Sequence, residues 1–353
     1  MITTRHRSPS SRPLHMAAAR TRRLLASREG PASRLRMTAA PTRHIRVIAA
    51  LLIAVAFTAT ACADSTGDRA EGTSNPVDST SDPADSTSTR AEGTSDRADS
   101  TVYVNLGDSY SAGTGVRPLV EDSPFQCQRS SLNFAHVLAQ RRGLALDDVS
   151  CAGATTSDFF AAQYFGVGPQ LDALGDGTRF VTLMIGGNDE DIFSGTIRDC
   201  GDVAAENPSG SPCRARYGDS FVERVRERTY PDVVRALRAV GERAPQARIV
   251  VVGYPWILPP TTGCYPTMRV AAGDVAYIRD LQSTLNDTVA RATAATGGTF
   301  VDMSAVSEGH DACQPEGTRW IEPQVGSSAP VTVHPNAAGQ RAIANEVGAA
   351  LGR

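Results

Sequence analysis

The chain has 353 residues, 41% of them hydrophobic, and a formal net charge of -3, which is enough length and apolar content for one or two domains with a real core. The charge is unevenly placed: residues 1–46 carry eleven Arg against one Glu, residues 63–101 carry nine acidic groups against three Arg, and the remainder is mildly acidic. A mildly acidic body without a basic stripe gives no footprint for nucleic acid, whose phosphates need clustered positive charge, so nucleic acid is excluded as a partner.

At the N-terminus, Val47 to Ala61 (VIAALLIAVAFTATA) is apolar for fifteen residues, follows Arg43 and Arg46, and ends in small side chains before Cys62. That is the layout of a secretory signal. It is short of the roughly 20 apolar residues of a bilayer-spanning helix, although an uncleaved anchor shares the pattern. Residues 1–62 are therefore expected to be an export region, with Met37 the expected start of translation because it opens an ordinary charged n-region. Ala59-Thr60-Ala61-Cys62 is similar to a bacterial lipobox, in which the cysteine is lipidated, but Leu is usual where Ala59 stands. Ala59-x-Ala61 also suits ordinary signal-peptidase cleavage. The lipoprotein reading is preferred, because a lone cysteine opening a mature exported chain otherwise lacks a purpose. It predicts membrane attachment through Cys62, against release as a soluble extracellular protein.

Residues 63–101 are Ser, Thr, Asp, Pro and Gly with little to bury, and RAEGTS recurs at 69–74 and 90–95. Such composition reads as a disordered linker, with a reach of roughly 35 Å as a flexible coil.

From residue 102 to 353 the sequence reads as one domain of alternating elements. Buried strands are expected at 102–106, 179–185, 247–253 and 299–303, and helices at 133–142, 217–243, 270–297 and 336–351. Alternation of this kind implies a parallel sheet with helices on both faces. Functional groups then gather beyond the carboxyl ends of the strands.

Three segments lie just after a strand or just before a helix, where that rule puts chemistry. Asn105-Leu106-Gly107-Asp108-Ser109-Tyr110-Ser111 follows the first strand, and Gly107 and Asp108 allow a tight bend that exposes Ser109. Taken alone, Ser109 is also what a plain turn or helix N-cap would carry. Val333-His334-Pro335-Asn336 precedes the last helix. A serine hydroxyl is a poor nucleophile at neutral pH and needs a base of nearby pKa, for which imidazole is suited. Only His136, His310 and His334 fall in this domain. Ile185-Gly186-Gly187-Asn188-Asp189 ends another strand with an amide, and Gly153 offers an N–H with no side chain in the way. With the Ser109 N–H these donors are suited to an oxyanion hole; singly, each is only a Gly-rich loop.

Besides Cys62, six cysteines remain: Cys127, Cys151, Cys200, Cys213, Cys264 and Cys313. In an exported domain they imply three disulfides. Pairing in sequence order closes short, un-nested loops, which gives 127–151, 200–213 and 264–313. Without CxxC or ligand-spaced histidines, no metal site is expected.

The GDSYS at 107–111, Gly153, the GGND at 186–189 and His334 resemble, in order and spacing, the four sequence blocks of the SGNH (GDSL-type) hydrolase superfamily. The resemblance covers residues 102–353. The six cysteines and Gly309-His310-Asp311-Ala312-Cys313 are similar to the secreted lipases and esterases of Streptomyces and related actinobacteria. It implies a flavodoxin-like three-layer α/β/α sandwich with a central parallel five-stranded sheet in order 2-1-3-4-5. It also implies Ser109 as nucleophile, His334 as base, and Ser109, Gly153 and Asn188 as oxyanion donors. No cofactor is needed for that chemistry.

The superfamily's common DxxH pattern places an aspartate where this chain has Val331. A triad's third member orients the imidazole and stabilises its charged form. Some actinobacterial members use a main-chain carbonyl, expected here from Val331 or Thr332, while Asp302 or Asp311 are alternatives from elsewhere in the chain. The expected activity is hydrolysis of lipid or simple acyl esters by an exported monomer through an acyl-enzyme. A carbohydrate O-deacetylase and a non-catalytic surface-binding domain are the rival readings. Phe159, Phe160, Phe165 and the loop Tyr254–Pro259 are candidates to line an acyl groove.

Overall fold

The computed structural model describes residues 102–352. The expected export signal, Cys62 and the linker at 63–101 lie outside them.

Five strands form one all-parallel sheet in the order β2-β1-β3-β4-β5. They are β1 (Val102–Gly107), β2 (Ala145–Asp148), β3 (Thr178–Met184), β4 (Arg248–Val252) and β5 (Thr299–Val301). The central strands carry the apolar runs, and Tyr103, Val104, Leu106, Val181, Leu183, Val250, Val251 and Val252 are buried between the helical layers, as a sheet covered on both faces requires.

Among the described residues, eight α-helices cover the sheet or flank its ends. They are α1 (Ser109–Ala112), α2 (Phe134–Arg142), α3 (Ile192–Ala204), α4 (Pro212–Tyr217), α5 (Ser220–Arg224), α6 (Tyr230–Arg243), α7 (Val275–Ala295) and α8 (Ala337–Ala350). Asn133 caps α2 by accepting the His136 N–H, and Asn336 caps α8 by accepting those of Ala338 and Gly339.

Three differences from the sequence expectations have physical causes. The edge strand β2 (ALDD) has no apolar run and half its residues are exposed. It is a strand because it pairs with β1, and the Asp148 carboxylate accepts from Asn105 and Asn133 at its end. The stretch expected as one helix over 217–243 is interrupted after α4 and again by a π turn at Val225–Thr229, next to Pro231, which has no N–H to give the preceding turn. Helix α3, with two glycines and β-branched residues inside it, was not expected at all.

The structure contains the disulfides Cys127–Cys151, Cys200–Cys213 and Cys264–Cys313. The first braces the loop after β2, the second ties α3 to α4, and the third joins the loops after β4 and β5.

The strand order reverses at β1 and β3. The chain leaves β1 toward β2 on one side and returns to β3 on the other, so a crevice opens between their carboxyl ends.

Candidate active site

Ser109 is the first residue of α1, directly beyond β1. The turn that carries it is sharp because Gly107 has φ +110 and passes the neighbouring strand so closely that a Cβ there would sit 2.2 Å from the Met184 carbonyl oxygen. Asp108 caps α1 by accepting the Tyr110 N–H at 2.9 Å. Ser109 is 8% exposed, so its hydroxyl meets the crevice and little else.

His334 reaches the same point from the other end of the chain. Its Nε2 lies 2.9 Å from Ser109 Oγ, and its Nδ1 lies 2.8 Å from the Thr332 carbonyl oxygen. A carbonyl only accepts, so Nδ1 carries the hydrogen and Nε2 is left as the acceptor facing the serine hydroxyl. Burial pulls the imidazole pKa below its ordinary value, opposed by the Thr332 carbonyl. A ring neutral at working pH and aimed at a hydroxyl can take its proton.

Thr332, not Val331, supplies the carbonyl; the Val331 side chain instead packs beside Gly115. Asp302 and Asp311 are engaged in their own turns, Asp302 with the Ser304 N–H and Asp311 with the Cys313 N–H.

Asn188 follows β3 at the other lip of the crevice. Its Nδ2 donates to the Ala154 carbonyl at 3.0 Å, which uses one amide hydrogen and orients the other. Asp189 strengthens the same junction by accepting from the Thr156 N–H and hydroxyl, and burial lifts its carboxyl to about 6 against those bonds. Gly153 sits in that loop at φ +78, a conformation that side chains rarely adopt. Among the loop and turn hydrogen bonds of the described residues, neither the Ser109 N–H nor the Gly153 N–H has a backbone acceptor.

The pair opens into a cavity of about 290 Å³, whose lining includes Ser109, Asn188, His334, Phe193, Ile197 and Ile257, with Ser194, Arg198 and Gln324 also on its wall. Of the aromatics and loops expected to line a groove, only Ile257 does so. Phe159 is fully buried in the core, Phe160 lies under the Arg235 guanidinium, and Phe165 is fully exposed. Helix α3 supplies the apolar wall instead.

A model of the GDSL-like Lipase/Acylhydrolase family matches residues 106–342. The chain belongs to that family. Lipase 2 of Streptomyces coelicolor is 51% identical over 253 residues, covering 71% of this chain and 85% of that protein. Lipase 1 of the same organism is 31% identical over 243 residues, covering 67% and 82%. Among solved structures, phospholipase A1 from Streptomyces albidoflavus superposes with a TM-score of 0.60 at 27% identity, over 72% of this chain and 100% of that one. The extracellular lipase from Streptomyces rimosus gives 0.58 at 27% identity, over the same shares. This GDSL-like acylhydrolase is a carboxylic ester hydrolase.

Several residues of the site in this acylhydrolase had no sequence signal of their own. Tyr254 after β4 is fully buried and donates to Asp108 at 2.5 Å while accepting the Gly187 N–H at 2.9 Å. Tyr110 donates to the Val333 carbonyl at 2.7 Å. Glu322 and Arg319, three residues apart, form a buried ion pair beside the His334 loop. The tyrosine contacts join residues far apart in the chain. Phe193 and Ile197 stand one turn apart on α3, a spacing that has meaning only once that helix is known.

Proposed function

We propose that this ester hydrolase acts on acyl esters through a Ser109–His334 dyad and an acyl-enzyme. The observation that carries the reading is the 2.9 Å contact between Ser109 Oγ and His334 Nε2 at the mouth of an apolar cavity. His334 takes the hydroxyl proton as Ser109 Oγ bonds to the ester carbonyl carbon. The negative charge that develops on the carbonyl oxygen is met by the N–H groups of Ser109 and Gly153 and the free hydrogen of Asn188. The intermediate collapses, the C–O bond to the alcohol breaks, and His334 returns its proton to the leaving oxygen. Water then repeats the sequence on the acyl-enzyme, with His334 as base, releasing the acid and restoring Ser109. The Thr332 carbonyl holds the ring and favours its charged form during each transfer, the part an aspartate plays in a triad.

Phe193, Ile197 and Ile257 favour an acyl chain over a sugar, which needs hydrogen-bonding walls. The apolar stretch at 47–61 before Cys62 supports export from the cytoplasm, in keeping with three disulfides. A diacylglycerol adduct on Cys62, read by mass spectrometry, distinguishes the anchored form from a released one.

Hydrolysis of p-nitrophenyl esters of rising chain length, beside acetylxylan, tests the reading with wild type and Ser109→Ala. Turnover of the acyl esters by wild type alone is the expected result. Activity confined to acetylxylan would make the protein an O-deacetylase, and equal inactivity of both proteins on every ester would make the domain a binding module.

A further inference from the structure

The loop that carries the base is held by one residue, Glu322, through its buried carboxylate at the start and beyond the end and through its backbone at the end itself. Residues 326–333 leave the chain just after Glu322 and return beside it. The Glu322 carbonyl accepts the Val333 N–H at 2.7 Å and the Glu322 N–H donates to the His334 carbonyl at 3.0 Å. Both bonds fall just after Thr332, and the first holds the peptide unit whose Thr332 carbonyl touches the imidazole. At the start of the loop the Glu322 carboxylate accepts from the Ser327 hydroxyl at 3.1 Å and from the Ser328 N–H at 2.9 Å. Beyond its end, it accepts from Asn336 Nδ2 at 3.0 Å, on the residue that caps α8. Arg319 supplies the counter-charge at 3.0 Å.

The conformation held in this way is a costly one. Val333, a β-branched residue, stands at φ +58, where the backbone needs its surroundings to hold it. Tyr110 pins the same residue from the opposite side through its carbonyl. The Thr332 carbonyl shares a planar peptide unit with the Val333 N–H, so these restraints on Val333 set its direction.

We propose that Glu322 is the positioning residue for the base: its carboxylate fixes the loop whose Thr332 carbonyl orients His334, and so serves, one step removed, in place of the aspartate absent from position 331. The assignment rests on His334 being the base. Burial works to raise the Glu322 pKa, but the bonds from Asn336, Ser328 and Arg319 hold it down to about 2. The group is therefore a fixed anion throughout the working range and carries no proton itself.

Glu322→Gln is the test, since the amide keeps the shape but puts a donor where the carboxylate only accepts. The readouts are kcat, KM and the pH dependence of kcat/KM on p-nitrophenyl butyrate, per active site counted by phosphonate titration. The Thr332 carbonyl favours the protonated ring, so a loosened loop lowers the His334 pKa. The expected result is an acid limb displaced to lower pH, with KM little changed and kcat down by roughly ten- to a hundredfold, the scale of a misplaced catalytic group. The other charged groups near the ring are Asp108, held by Tyr254, and Arg198, paired with Asp191 and Asp199. None of them is altered. Full kcat per titrated site with an unmoved acid limb would overturn the proposal, whatever fraction of the protein is folded. If Glu322→Gln yields no folded protein, Ser327→Ala, which removes one bond to the carboxylate, decides on the same readouts with a smaller shift in the same direction. Loss of activity in Ser109→Ala beside an unaltered Glu322→Gln would leave the dyad standing and remove only the role of Glu322.

Discussion

Tyr254 bridges the two lips of the site: its hydroxyl donates to the buried Asp108 carboxylate at 2.5 Å and accepts the Gly187 N–H, one residue before Asn188, at 2.9 Å. The turn that carries Ser109 and the loop that carries Asn188 are thus held at a set separation through one phenol. Tyr254→Phe leaves the Gly187 N–H and the Asp108 carboxylate each short of a partner in the interior, an expected cost of about 1–3 kcal/mol per group. Urea denaturation measures that loss. Kinetics on the same protein should show kcat reduced by up to about a hundredfold with KM nearly constant; a fall confined to KM would mean that the bridge supports binding and not donor geometry.

Asn188→Ala removes the side-chain donor and keeps the backbone of the loop. By the usual weight of a single oxyanion donor, kcat should drop about a hundred- to a thousandfold, while thermal stability changes little because the side chain is half-buried and holds only the Ala154 carbonyl. Steady-state kinetics beside a melting curve separates the two effects.

The pH behaviour follows from three groups with opposite signs. Burial lowers the His334 pKa from 6.5, so the base stays neutral to more acid pH, and the acid limb of kcat/KM is expected below 6.5. Burial raises Asp108 from 3.8 to about 7 against the bonds from Tyr254 and Tyr110. Its contribution to stability is then complete below about 4 and is lost as pH rises through about 7. Glu322, held at about 2 against an ordinary 4.5, contributes fully above 4.5 and loses that contribution as pH falls toward 2. Urea midpoints from pH 2 to 9 should therefore decline at both ends, and Asp108→Asn should flatten the decline between about 4 and 7. An unchanged slope in that variant would show that Asp108 titrates alike in the folded and unfolded chain.

Phe193, Ile197 and Ile257 line the site cavity and also wall off a void of about 10 Å³ next to Ile278 and Leu281. Ile197→Ala opens that wall. The ratio of kcat/KM for long against short p-nitrophenyl esters should rise in this variant, with activity on the acetate retained. A uniform fall across all chain lengths would place the acyl chain elsewhere.

Much of this molecule is legible without coordinates because its signals are local. The apolar runs of β1, β3 and β4, the caps at Asn133 and Asn336, and the glycines at 107 and 153 each act on their own neighbours in the chain. Ser109, Asn188 and His334 announce themselves in the same way, each in a short motif at a strand end or a helix start. β2 and α3 do not, because one is a strand only through its pairing with β1 and the other runs against its own composition.

What the tertiary structure alone decides is which distant groups meet. Thr332 and not Val331 faces the imidazole because the chain reverses at Val333 and is tied back to Glu322. The apolar wall comes from α3 and not from Phe159, Phe160 or Phe165, because the core, an Arg235 contact and solvent already account for those rings. Motif spacing reports where a residue stands along the chain, and the direction in which its groups point is set by hydrogen bonds and packing between segments as far as 225 residues apart.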